Sequence, residues 1–328
     1  MAHDFDKIDK QLRIPGRVFK LLAHPSKRGL RVLHWLMSQS KGKDMDGADS
    51  HTVWVERSDD EGQIRVRVFR PHNTDTPLPI VLALHGGGYA IGLPEQDSFM
   101  RVLKGLMDVR ECVVVAPDYR LSFDAPYPAA LHDCYDTLLW AKENAAEIGG
   151  RTDQIFVMGD SAGGGLTVSV SLLARDRGDV KIAFQMPLYP MLDDRQSNPS
   201  AMNNHMPVWS SKHNKVAWAL YLRSLVEQGA DISAYAAPTR AESYANLPPA
   251  ATFVGDLDPF LDETVAYVER LKTEGIPVQS KTFEGCYHGF DQVVPNADKS
   301  QEAIRFMHDA YVYAVDNYFA AQTSIITP

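Results

Sequence analysis

A chain of 328 residues that is 45 % hydrophobic and 23 % charged has the composition of a folded globular protein, which excludes global disorder. Its formal net charge of -9 argues against a nucleic-acid partner, which would require a broad basic face. No run approaches the ~20 apolar residues of a membrane-spanning helix, and the mixed-charge start MAHDFDKIDK lacks the apolar stretch of a secretory signal. Three cysteines (Cys112, Cys134, Cys286) fit neither a disulfide framework nor a C-x-x-C zinc site. A soluble, cytoplasmic protein without a metal or other cofactor is the expectation from these features.

Residues 1–48 read as helical pieces ending in the polar, Gly-containing linker SQSKGKDMDGADS. HTVWVERS and QIRVRVFRP alternate apolar and polar residues around Asp-Glu-Gly, which predicts an antiparallel strand pair. The pattern then changes to short, nearly continuous apolar runs separated by helical stretches: PIVLALHG, CVVVAPDY, QIFVMGDS, IAFQMPLY, ATFVGDLD and a weaker VQSKTFEG. Such runs predict a mostly parallel sheet with helices on both faces, eight strands in all. The stretch 193–245 is far longer than the usual ~2–6-residue connection of an α/β unit. Within it KHNKVAWALYLRSL has helical periodicity, so 1–48 and 193–245 are expected to form a helical cap over a core made of 49–192 and 246–328.

Gly159-Asp160-Ser161-Ala162-Gly163 matches G-x-S-x-G, with QIFVM before it as a strand and GGGLTVSVSLLARDR after it as a helix. That context predicts a serine on a sharp strand-to-helix turn, exposed at the end of the sheet and close to the positive end of a helix dipole. His85-Gly86-Gly87-Gly88 follows the strand PIVLAL, and a loop of glycines can aim backbone N–H groups at a developing oxyanion. A phosphate cradle is a poor reading of this loop, since neither G-x-x-x-x-G-K-[ST] nor G-x-G-x-x-G is present. In this chain order a carboxylate and then a histidine should follow the serine. Asp256, Asp258 and Asp262 lie at or just beyond the run ATFVG, and His288 follows the last strand.

HGGGY with GDSAGG, PDYRL followed by YPAALHD, GDLDPFLDE and YHGF together resemble the hormone-sensitive-lipase-like esterases of the α/β-hydrolase superfamily. The likeness runs from about Val53 to the C-terminus. The resemblance implies an α/β-hydrolase fold and a serine carboxylesterase acting on small-molecule esters with short acyl chains of about eight carbons or fewer. Its D-P-x-x-D pattern selects the first aspartate, so the implied triad is Ser161, Asp258 and His288. The amides of Gly87, Gly88 and Ala162 are the implied oxyanion hole, with Gly86 the poorer donor. The chain departs from the family at Ser122, Phe123 and Asp124, where acyl or alcohol preference is expected to change. Phe260 stands where leucine is common, a packing change. Related esterases are often dimers, so a homodimer is also an expectation.

For the pocket, the candidates are Tyr89, Met206 and Trp209, with Met202, Val208 and Trp218 behind them. Asp160 is expected to support the site rather than react, His85 to brace the glycine loop and His132 to be structural. Ser38-Gln-Ser-Lys41 matches S-x-x-K but lacks the boxes that accompany it in enzymes. Two other readings keep the same residues: a receptor-like protein of this fold that binds without turnover, and an amide or lactone hydrolase.

Overall fold

The computed structural model describes residues 5–22 and 26–322. The predicted strand pair forms as β1 (Ala48–Glu56) and β2 (Gln63–Pro71), antiparallel, with Val53 opposite Val66. The apolar runs become β3 (Leu78–Leu84), β4 (Val113–Pro117), β5 (Gly150–Asp160), β6 (Phe184–Leu188), β7 (Ala250–Gly255) and β8 (Val278–Phe283). They join one sheet in the order β1-β2-β4-β3-β5-β6-β7-β8. β2 pairs antiparallel with β4, and every pairing from β4 to β8 is parallel.

Every residue of β3, β4, β6 and β7 is buried, as strands covered on both faces require. β3 divides its side chains between two cores. Leu78, Ile80, Leu82 and Leu84 join the core that holds Leu131 and Leu138 of α4 (Ala129–Glu143) and Leu166 and Val170 of α5 (Ala162–Arg177). Val81 and Ala83 join the opposite core, with Phe99 and Leu103 of α3 (Asp97–Val109) and Met307 and Tyr311 of α10 (Asp298–Asn317). β8 is weak in the sequence because it is an edge strand, with Ser280, Lys281 and Thr282 exposed.

The N-terminal stretch holds α1 (Lys10–Leu22) and α2 (Lys27–Met37). Within 193–245 the periodic stretch is not one helix: it splits into α6 (Ser211–Tyr221) and α7 (Arg223–Gln228). The break has a local cause. The carbonyl of Tyr221 accepts the amide of Tyr127 at 2.8 Å, and Ser224 Oγ donates to the carbonyl of Tyr127 at 2.7 Å. A loop of the core thus ties the chain down where the helix would have continued. α8 (Leu261–Thr273) and the short α9 (Phe290–Val293) follow β7 and β8.

Candidate active site

Ser161 sits between β5 and α5 with φ 56° and ψ -117°, a backbone conformation that side-chain-bearing residues avoid at a cost on the order of 1–3 kcal/mol. Three hydrogen bonds hold it there. Its amide donates to the carbonyl of Leu188 at 2.9 Å, and its carbonyl accepts from the amides of Gly165 (3.0 Å) and Met191 (2.9 Å). The turn also needs Gly163, because a Cβ there would lie 2.0 Å from the carbonyl oxygen of Leu84. The glycine in G-x-S-x-G lets α5 approach β3 closely enough to aim the serine.

β7 and β8 bring the other two groups to it. The amide of Asp256 donates to the carbonyl of Phe283 and that of Leu257 to the carbonyl of Cys286, each at 3.0 Å, so the loops after the two strands are joined. Asp258 Oδ2 then stands 2.7 Å from His288 Nδ1, and His288 Nε2 stands 2.8 Å from Ser161 Oγ. The carboxylate can only accept, so the imidazole proton is assigned to Nδ1, which leaves Nε2 to accept from the serine hydroxyl. Asp258 Oδ1 is occupied by the amide of Phe260 at 2.9 Å. The imidazole is fixed laterally by edge-on contacts to Tyr189 and Phe260, both with centroids at 5.0 Å. Ser161, Asp258 and His288 are all buried.

The rival aspartates do other work. Asp256 Oδ1 accepts the amide of Gly285 at 2.8 Å, bracing the loop that carries His288. Asp262 Oδ2 accepts the amide of Ser200 at 2.8 Å. His132 Nδ1 faces Asp59 Oδ2 at 3.2 Å, away from the serine. In the S-x-x-K string, Ser38 Oγ donates to the carbonyl of Trp35 and Lys41 pairs with Asp118, so no nucleophile–base pair exists there.

The glycine loop lies against the same serine. Asp160 Oδ1 accepts the Gly86 amide at 3.1 Å, which engages that donor. Among the described residues no protein acceptor meets the amides of Gly87, Gly88 or Ala162. Gly87 has φ 120° and Gly88 φ 60°, and a Cβ on Gly88 would lie 2.4 Å from Trp209 Cη2, so side chains are excluded on both grounds. His85 steadies the loop: its ring stacks on Tyr119 at 4.2 Å, and Tyr119 Oη donates to the His85 carbonyl at 2.6 Å. Burial pushes the His85 imidazole down to about 4, so it is neutral at ordinary pH, and its Nδ1–H donates to the carbonyl of Gly86. The stretch PDYRL therefore positions HGGG, and Arg120, which chelates Asp133 and Asp59, pins that stretch to α4.

Burial likewise pushes the Asp160 carboxyl up to about 6, against the opposing pull of His288. Beside it, burial and the charge of Asp160 push Asp291 up to about 7. Tyr189, whose ring fixes His288, receives a hydrogen bond from Gln292 Nε2 at 3.0 Å. Sequence reading did not single out Tyr189, Asp291 or Gln292. Only Asp291 and Gln292, next to the YHGF motif, stood near a visible signal.

A cavity of about 340 Å³ opens onto Ser161 and His288. Val208 and Trp209 line it, carried by a three-residue turn in which the Trp209 amide donates to the carbonyl of Pro207 at 2.7 Å and Val208 takes φ 65°. The other pocket candidates are corrected by the structure. Tyr89 does not line the cavity: its ring stacks on Tyr221 at 3.9 Å and its hydroxyl donates to the carbonyl of Met191. Met206 is packed into the core beneath, Trp218 packs on Tyr89, and Met202 is exposed to solvent. The facing wall comes instead from Phe19 of α1 and Leu30, Leu33 and Met37 of α2. Ser122, Phe123 and Asp124 do not line the cavity either. Ser122 Oγ donates to the carbonyl of Tyr89, so the altered loop acts on the backbone after the glycines rather than on the pocket wall. Among the described residues no group of His, Cys, Asp and Glu is placed to hold a metal ion.

Comparison with known proteins identifies the fold and the family. A family model described as the alpha/beta hydrolase fold matches residues 81–292. An esterase of Mycobacterium tuberculosis, LipI, is 34 % identical over 245 residues, 73 % of this chain and 75 % of that protein. An arylesterase of Saccharolobus solfataricus is 32 % identical over 232 residues, covering 70 % of this chain and 73 % of its own. Among solved structures, a bacterial heroin esterase superposes with a TM-score of 0.85 at 30 % identity, covering 95 % of this chain and 99 % of that one. The chain belongs to the hormone-sensitive-lipase-like carboxylesterase family of the α/β-hydrolase fold.

Proposed function

We propose that the protein hydrolyses short-chain carboxylic esters through an acyl-enzyme on Ser161. The observation that carries this reading is the continuous pair of hydrogen bonds from Ser161 Oγ to His288 Nε2 and from His288 Nδ1 to Asp258 Oδ2 on the floor of the cavity. Ser161 Oγ attacks the acyl carbon as His288 Nε2 takes its proton; His288 then delivers that proton to the leaving alcohol. Water repeats the sequence in reverse to release the acid. Asp258 holds the imidazole in the reactive tautomer and stabilises the imidazolium. The free amides of Gly87, Gly88 and Ala162 receive the tetrahedral oxyanion.

The cavity supports the size preference. At about 340 Å³ it lies near the lower end of ligand pockets, which run to ~1,000 Å³, and suits a small ester. We assign the cap role to 1–48 and 193–245, since residues of both wall it. The test is a series of p-nitrophenyl esters from acetate to dodecanoate, run beside an amide and a lactone, with fluorophosphonate labelling of the folded protein. The reading expects labelling and a kcat/KM maximum at eight acyl carbons or fewer. No labelling would favour a binding protein, and a preference for the amide or the lactone would move the assignment to that class. Leu33→Trp fills the α2 wall and should lower kcat/KM for the octanoate about tenfold more than for the acetate.

Asp160 should act through the loop it holds. Asp160→Ala removes the acceptor of the Gly86 amide and lets the neighbouring donors drift, so kcat should fall about 10- to 100-fold with KM little changed. Asp160→Asn keeps an acceptor oxygen and should recover most of that loss. Equal losses in both variants would mean that the charge of Asp160, not its hold on the loop, matters.

A further inference from the structure

The two N-terminal helices carry more apolar surface than the cavity uses. Phe19 of α1 and Leu30, Leu33 and Met37 of α2 face the cavity. Each helix has a second apolar stripe that faces water. On α1 it is Ile14, Val18 and Leu21, at helical spacing and 71 %, 52 % and 86 % exposed. On α2 it is Val32, Trp35 and Leu36, again at helical spacing, with Trp35 62 % exposed. A helix of a soluble domain buries one such stripe; a second one in water marks a contact surface.

Charge identifies what the surface fits. Neither α1 nor α2 contains an aspartate or glutamate, while Lys10, Arg17, Lys27 and Arg28 are exposed with no carboxylate within ion-pair distance among the described residues. This basic block lies in a chain whose net charge is -9. Basic helices with exposed Trp, Leu and Ile match an anionic lipid interface, where the apolar stripe enters the acyl boundary and the cations meet headgroups. A second copy of the chain fits less well, because a symmetric contact would set like charges face to face. A nucleic acid would have no use for the aliphatic stripe. We propose that α1 and α2 dock on anionic lipid surfaces, placing the cavity wall that they form beside the membrane. The docking does not depend on the ester reading, since it is measured without turnover.

The test is co-sedimentation of the full chain with vesicles of phosphatidylcholine alone or with about 30 mol % phosphatidylglycerol. Binding to the mixed vesicles is expected at low salt, with a loss of tenfold or more at about 0.5 M salt. Lys27→Gln with Arg28→Gln should weaken partitioning about 25-fold, near fivefold per charge. Ile14→Ser with Trp35→Ser should abolish it. These residues do not line the cavity, so circular dichroism and Tm serve as fold controls. Brominated lipid should quench emission that disappears in Trp35→Phe. The inference is overturned if the protein ignores the mixed vesicles, or binds both compositions equally. It is also overturned if the variants retain binding, or if Trp35→Ser changes only the mass of a dimer in solution.

Discussion

Ser161→Ala should lower kcat by about 10⁴- to 10⁶-fold on a short p-nitrophenyl ester while the protein folds as before. The size of the loss follows from the arrangement. Without Oγ no acyl-enzyme can form, and His288 is left with only a water to activate at a position shaped for a side chain. A residual rate above that in buffer is still expected, because the amides of Gly87, Gly88 and Ala162, the proposed oxyanion donors, remain in place. Folding is spared because the side chain makes one hydrogen bond, to His288, whereas the strained turn is held by backbone bonds to Leu188, Gly165 and Met191. Alanine needs the same backbone, so Tm should move by no more than a few °C. KM or the Kd of a non-hydrolysed ester should be nearly unchanged, since Ser161 is one of many residues lining the cavity and the substitution leaves the walls from α1, α2 and the Val208–Trp209 turn as they are. Undiminished turnover in this variant would remove Ser161 from the chemistry.

Much of this was legible because the strands of a double-covered sheet are forced to be apolar throughout. β3, β5 and β7 each end at a residue cluster that the chain order makes readable: HGGG, GDSAG and DLDPF. β8 was the faintest strand because one of its long edges has no partner, which frees its side chains to be polar. The pocket was much less legible. Tyr89 follows the glycines directly, yet its positive φ of 59° turns the ring under the loop toward Tyr221. No local rule reports such a turn for a tyrosine. The α2 wall was missed for a different reason. An amphipathic helix announces that one face is buried but not whether it meets a core or a cavity, and Leu30, Leu33 and Met37 read the same in either case. Nor could the sequence place the break at Leu222, because it depends on Tyr127, far away in the chain, claiming the carbonyl of Tyr221.

Tautomer control makes Asp258→Asn the second large effect, a loss of about 10⁴-fold in kcat with the fold retained. An asparagine can keep Oδ1 on the Phe260 amide, as Asp258 does now. Its Nδ2 then faces His288 Nδ1 and can only donate, so the imidazole proton moves to Nε2. A protonated Nε2 opposite Ser161 Oγ cannot accept the serine proton, and the nucleophile is no longer activated although every heavy atom stays in place. The two neighbouring aspartates make the comparison decisive. Asp256 and Asp262 accept backbone amides, those of Gly285 and Ser200, and asparagine can accept the same bonds. Asp256→Asn and Asp262→Asn should therefore cost less than about tenfold, within what loop loosening produces. The three variants are isosteric and differ only in which hydrogen bond the lost charge served, so packing cannot account for a difference among them. A mild Asp258→Asn beside a severe Asp256→Asn would transfer the orienting role to Asp256 and require His288 to turn away from its present partner.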